Sequence, residues 1–257
     1  MQKKQHFVYI FLFLFILPAL IIPQELYDSF AEQRSSLISG FEKKYPGKDK
    51  KIFQALSSVK REDFLPEKIK KYAYIDISIP LEWAAAAPVS VPASSSGTAS
   101  ASAAASAPAS VISHSDLLKI LINLQKPDKN KALVIGRGAG FTASVLSSLY
   151  TAVFLIETDI AESNKYQLFM PEKYPNITVQ YTKELNFFKS GSPFDLIVIN
   201  GSFEDYSGEF IEDLSENGEL FFALSDNDGF KMLYRAEKKG ESYTIKAIDE
   251  VIFPSLN

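Results

Sequence analysis

The chain has 257 residues, 46% of them apolar, and a net charge of −4. That length suits one medium domain with appendages, and the apolar share can fill a real core. The lack of cysteine excludes disulfides, thiolate metal sites and a cysteine nucleophile; two histidines, His6 and His114, are too few for a histidine metal cluster; and the acidic balance gives no broad footprint for nucleic acid.

Lys3 and Lys4 precede an uncharged apolar run, Phe7 to Ile22, broken only by Pro18. The run is short for a bilayer-spanning helix and right for a signal-peptide core, so residues 1–24 read as a signal peptide or membrane anchor. A buried N-terminal helix is the alternative. The leading lysines predict the remainder of the chain outside the cytoplasm, in a bacterial envelope or periplasm; it stays cytoplasmic if residues 1–24 do not target it.

Residues 25–83 read as an N-terminal helical cap region. Leu26, Phe30, Leu37, Ile38 and Phe41 recur at helical spacing. Lys43 to Lys51 is a basic loop broken by Pro46-Gly47, a solvated turn with anionic-lipid contact as a minor alternative. Lys50 to Val59 is a short helix with Ile52, Phe53 and Leu56 inward. Ala84 to Ser110 then holds 12 Ala, 8 Ser and 3 Pro with no charge, which predicts a flexible linker or loop.

From residue 111 to 257 the pattern alternates β and α. Ser113 or Ser115 can cap a helix over Asp116–Leu124. Ala132 to Ile135 runs into Gly136-Arg137-Gly138-Ala139-Gly140, and Phe141 to Leu149 reads as a helix. Gly136, Gly138 and Gly140 permit a tight turn and close backbone approach to a nucleotide. A second strand, Ala152–Ile156, ends in Glu157, where such folds grip ribose hydroxyls; capping of the strand or the next helix is the plainer alternative. Asp159–Phe169 is a helix, Ile177–Tyr181 a third strand, and Phe194–Asn200 a fourth, buried on both faces. Phe210–Leu214 belongs to a helix stopped by Asn217-Gly218. Glu219–Leu224 is a fifth strand, and Tyr243–Phe253 closes the chain as one or two antiparallel strands. Asp226-Asn227-Asp228-Gly229 reads as a turn, with calcium binding as the alternative. Repeated βα units predict an α/β fold, a mostly parallel sheet with helices on both faces.

From about Phe53 to Leu256 the chain resembles protein-L-isoaspartate (D-aspartate) O-methyltransferases, within the S-adenosylmethionine-dependent class with a Rossmann-like sheet. The carrying residues come in family order: Val59-x-Arg61-x-x-Phe64-x-Pro66, Ala73-Tyr74-x-Asp76, Ile112-Ser113, Leu133–Phe141, Ile156-Glu157, Pro193-Phe194-Asp195, Leu214-x-x-x-Gly218-x-Leu220 and Val251-x-Phe253-x-x-Leu256. The resemblance implies S-adenosylmethionine as cofactor, held by Gly136, Gly138, Gly140, Glu157, Glu184 and Asn200. It implies Ser113 as the donor that orients the acceptor carboxylate; capping of the following helix is the alternative reading of Ser113. The implied partner is a protein or peptide carrying isoaspartate, its backbone along Val111–Ser115 and the edge at Phe253–Leu256. A monomer without metal or nucleic acid is expected, with membrane association through residues 7–22.

The departures concentrate at the cofactor and the acceptor. Val134 stands where the family has an acid, Arg137 where a small hydroxyl residue is usual, and Lys183 near the position of the adenine-holding acid, with Glu184 adjacent. His114-Ser115 replaces Gln-Pro; His114 reads as a solvent-facing loop residue, with a polar contact in the site as the alternative. Two further functions therefore stay open: a non-catalytic envelope module on the same fold, and a methyltransferase with another acceptor.

Overall fold

The structure, a computed structural model, describes residues 24–84, 109–125, 129–183, 191–206 and 208–255, with side chains from Ser29 onward. Two helices open it, α1 (Gln24–Lys44) and α2 (Lys50–Ser58). Asp49 starts α2 by accepting from the Lys51 amide, and Ile52, Phe53 and Leu56 are buried, as their helical spacing predicts. Two short 3-10 turns, Arg61–Phe64 and Glu67–Tyr72, lead to β1 (Ile79–Pro80).

The Ala/Ser/Pro-rich run leaves and re-enters at one place. Strand β2 (Ser110–Val111) pairs antiparallel with β1, Ile79 opposite Val111, and the Leu81 amide donates to Ala109 O at 2.9 Å. Ala84 closes a 3-10 turn and Ser110 lies in a strand, so the boundaries expected for the run are corrected inward; residues 85–108 lie outside the described residues. The cap and the sheet are not separate bodies either. Phe30, Phe53 and Phe64 share one buried cluster with Val111, Phe141 and Val198.

The remaining elements are α3 (His114–Leu121), β3 (Lys129–Ile135), α4 (Gly140–Ser147), β4 (Tyr150–Glu157), α5 (Ile160–Lys173), β5 (Ile177–Tyr181), β6 (Phe194–Phe203), β7 (Leu214–Ser225), β8 (Lys231–Lys239) and β9 (Ser242–Glu250). Strands β3 to β9 form one seven-stranded sheet in the order β5-β4-β3-β6-β7-β8-β9. The ladders from β5 to β7 are parallel; β8 and β9 are antiparallel. This is the mostly parallel α/β sheet that the alternating pattern predicts, and the Rossmann-like architecture that the resemblance implies. Strand residues alternate between two cores. Val134, Leu155 and Val198 face the cap and α4, whereas Leu133, Ile156 and Ile197 face the cluster under Phe210 and Ile211.

Two elements differ from expectation. The helix expected over Phe210–Leu214 is only a 3-10 turn, Glu209–Ile211, because Leu214 is already paired with Phe194 in the sheet. Asn217, at φ 58°, and Gly218 then form an irregularity inside β7 rather than a helix cap. Strand β8 was not expected. Its sequence, Lys-Met-Leu-Tyr-Arg-Ala-Glu-Lys-Lys, lacks the alternation of a strand with one solvated face. Among the described residues no helix is long and apolar enough to cross a membrane; the Phe7–Ile22 segment lies outside them.

Candidate active site

The parallel strands end together, and their carboxyl ends build the site. Strand β3 delivers Gly136 at φ 144° and Gly138 at φ 73°, and α4 begins at Gly140. Each glycine faces a different neighbour. A Cβ on Gly136 would lie 2.8 Å from Asn200 O, one on Gly138 2.8 Å from Ser110 O, and one on Gly140 2.6 Å from Tyr166 Cζ. The loop is therefore pressed between β6, the start of the Val111–Ser115 segment, and α5.

Glu157 ends β4 with its side chain fully buried. Its Oε2 accepts from the Gly138 amide and its Oε1 from the Asp159 amide, each at 2.9 Å. Burial pushes its carboxyl up to about 8, against the two amide bonds that favour the charged form. A carboxylate offers about four lone-pair sites, so two remain for hydroxyl donors. Asp159 caps α5 through the Ala161 and Glu162 amides, and Arg137 Nη2 donates to its Oδ2 at 3.0 Å. Burial alone would raise the Asp159 carboxyl; the Arg137 bond and the two amides outweigh it and hold it below its ordinary value.

Asn200, fully buried, points to the same side of the sheet as Val198. Its Oδ1 accepts from Thr142 Oγ1 of α4 at 3.0 Å, and its Nδ2 has no partner among the described residues. A buried donor left unpaired costs free energy comparable to a lost hydrogen bond, so this amide is a natural contact for a polar ligand at the loop. The glycine turn, the acid and the free amide fit a nucleoside cofactor.

Ser113 caps α3: its Oγ accepts from the Asp116 amide at 3.0 Å and lies 3.1 Å from Ser115 Oγ. Capping uses only an acceptor site of the hydroxyl; its proton has the Asp116 carboxylate and Ser115 Oγ within reach. The neighbours form a small polar ring. The Ser113 amide donates to Ser78 Oγ at 3.3 Å, and the Ser115 amide to Asp76 Oδ1 at 2.9 Å. Ser78 Oγ donates to Ile252 O at 2.6 Å, and the Ile252 amide to Asp116 Oδ2 at 3.2 Å. The C-terminal segment thus borders the Ser113 cluster, and it continues into a parallel bridge between Ser255 and Ser202 at the end of β6.

Residues 32–257 match the family described as protein-L-isoaspartate(D-aspartate) O-methyltransferase. The chain belongs to that family. A protein-L-isoaspartate O-methyltransferase from Aliivibrio fischeri is 24% identical over 224 residues, spanning 87% of this chain and 95% of that protein. One from Methanococcoides burtonii is 27% identical over 218 residues, spanning 82% of this chain and 93% of its own. Among solved structures, a protein-L-isoaspartate O-methyltransferase from Plasmodium falciparum, in complex with S-adenosyl-L-homocysteine, shares the fold. It superposes with a TM-score of 0.62 at 16% identity, covering 87% of this chain and 98% of that one.

Within this methyltransferase frame the departures acquire places. Val134 is fully buried in β3 and supplies no acid to the loop. Lys183 is exposed; Glu184 lies outside the described residues. His114 is not a solvent-facing loop residue. It is the first residue of α3, fully buried, stacked on Tyr74 at 5.5 Å and edge-on to Phe141 at 5.1 Å. Apolar surroundings, with Arg61 and Arg34 nearby, hold its imidazole neutral, well below its ordinary range. The burial follows from the cap: Tyr74 comes from sequence forty residues away, which spacing along the chain does not reveal.

Arg61 is the residue that sequence reasoning undervalued. Fully buried, it donates to four backbone carbonyls: Ala73, Ile75 and Ile77 at 3.0, 3.2 and 2.7 Å, and Val111 at 2.8 Å. It ties the Ala73–Ile77 turn to the strand before Ser113. Burial lowers its guanidinium to about 10, so it stays charged at neutral pH. Its signal was the Val59-x-Arg61-x-x-Phe64 signature, which names the residue without showing what it holds.

Proposed function

We propose that this chain transfers a methyl group from S-adenosylmethionine to the free carboxylate of L-isoaspartyl residues in damaged proteins. The observation that carries the reading is the packing of Ser110 against Gly138. Ser110 lies three residues before Ser113, so the segment that carries the Ser113 hydroxyl starts against the glycine loop, which supports one site for cofactor and acceptor.

When bound, S-adenosylmethionine supplies an electrophilic methyl group. Gly136, Gly138 and Gly140 would give its backbone approach, Glu157 would accept from its ribose hydroxyls, and Asn200 Nδ2 would donate to it. The acceptor carboxylate, with an ordinary pKa of about 4, is ionised at neutral pH and needs no general base. What remains for the protein is alignment and exclusion of water. Ser113 would orient the acceptor oxygen by donating its hydroxyl proton to it in place of Asp116 or Ser115; fixing two reactants in this way can supply much of a rate enhancement. Arg61 positions that segment through Val111 O without touching the acceptor.

The apolar run Phe7–Ile22 behind Lys3 and Lys4 supports an exported or membrane-tethered location, where the acceptors would be envelope proteins. Incubation of the full chain with methyl-labelled S-adenosylmethionine and an isoaspartyl peptide tests the activity. A base-labile methyl ester on that peptide, and none on its aspartyl counterpart, is expected. Cofactor binding without any ester would remove the isoaspartyl reading.

A further inference from the structure

A cleft of ≈ 580 Å³ opens beside the acceptor edge, between the end of β6, the β7–β8 turn and the last residues of β9. Glu204, Asp226 and Glu250 line it, with Phe230 and Tyr234 as its aromatic walls. Phe230 is 61% exposed. It is held at the rim because Asp226 Oδ1 accepts from both the Asp228 and Phe230 amides, fixing the turn. Among the described residues the one ammonium lining the cleft, that of Lys231, is committed to the C-terminal segment, donating to Phe253 O and to Ser255 Oγ. The cleft is thus a partly apolar groove of acidic balance.

The same C-terminal segment connects this groove to the Ser113 cluster. Ile252 is bonded to Ser78 and Asp116, the neighbours of Ser113, while the next carbonyl, Phe253 O, is bonded to Lys231 at the cleft wall. A polypeptide with its isoaspartate at Ser113 that runs along this segment would bring its flanking residues to the cleft.

We infer that this cleft binds the acceptor polypeptide beside the isoaspartate and selects basic side chains with apolar neighbours there. The inference rests on the methyltransferase reading above. Carboxylates at the rim would pair with a lysine or arginine of the acceptor, and Phe230 would cover its methylene stem. An acidic residue at the same place would meet like charge. Exposed envelope proteins rich in lysine would then be better acceptors than acidic ones.

The test uses the full chain and two isoaspartyl peptides that differ only in lysine or glutamate three residues from the isoaspartate, on each side in turn. At low ionic strength the lysine peptide should have a KM about five- to tenfold lower, a ratio that shrinks in ~0.5 M salt. In the double variant Glu204→Gln/Glu250→Gln the ratio should fall to within about twofold. The distant exposed change Glu172→Gln, on α5, should leave the ratio standing, which separates the cleft from net charge. Equal KM for both peptides, or a ratio that survives the double variant, overturns the inference while leaving the methyltransferase reading intact. Failure to methylate any isoaspartyl peptide overturns both.

Discussion

At the residue scale the site is governed by buried polar groups. Glu157 shows the sign of the effect. Its folded carboxyl titrates near 8, above its ordinary value of 4.5. The folded state therefore holds this proton more tightly than the unfolded chain. The associated stability is complete below about pH 4.5 and is lost as pH rises through 8. Thermal melts between pH 5 and 8.5 should show a decline of a few kcal/mol that flattens in Glu157→Gln. Ribose hydroxyls need the ionised acceptor, so affinity for S-adenosylmethionine should rise over the same interval, and calorimetry on the variant should show weak, pH-independent binding. Arg61 makes a different kind of demand. Arg61→Met leaves four inward carbonyls without their donor and should cost about 3–5 kcal/mol, a drop of roughly 6–15 °C in Tm. If scanning calorimetry finds no shift, those carbonyls have other partners and the clamp is decorative.

At the element scale the fold rests on glycines facing specific neighbours. Gly140→Ala would press a methyl against the Tyr166 ring, 2.6 Å from Cζ, and should destabilise by about 1–3 kcal/mol. Chemical denaturation reads this directly, as a lower midpoint with an unchanged slope. The strand–turn–helix around Gly136 was legible because three signals coincide there: an apolar run, closely spaced glycines, and a helical pattern after them. Glu157 was legible for the same reason, lying at the end of the next apolar run. Strand β8 was not. It lies second from the sheet edge, and residues such as Lys231 and Arg235 are only half-buried, so charge is tolerated on a strand that the sheet still pairs on both sides. The helix expected over Phe210–Leu214 failed because Leu214 satisfies its backbone in the ladder with Phe194, and a five-residue helix has little of its own to set against that.

At the scale of the whole molecule the cap, the sheet and the acceptor segment form one body. Residues 79–81 and 109–111 meet across β1 and β2, so the Ala/Ser/Pro-rich run closes a loop rather than joining two domains. Replacing residues 85–108 by a short Gly/Ser turn should leave Tm unchanged or raise stability by ~1 kcal/mol, through the smaller entropy of loop closure. Cofactor binding belongs to this scale as well. A ligand at a hundred times its Kd adds about 2.7 kcal/mol, so a Tm rise of roughly 5–10 °C with saturating S-adenosylmethionine is expected. A flat melting temperature in a folded protein would remove the cofactor site.

The sequence alone determined the α/β class, the glycine loop, the acid after the second strand and the family, because each of these is local. Periodicity, turn chemistry and short ordered motifs all act within a few residues of one another. Only the tertiary structure decided that His114 is core, that Arg61 clamps four carbonyls, and that the acidic cleft lies next to the C-terminal segment. Each of these joins residues far apart in the chain: His114 meets Tyr74, Arg61 reaches Val111, and Glu204 and Glu250 share one groove. Such contacts depend on how elements pack, and no local pattern encodes which distant side chain will be opposite.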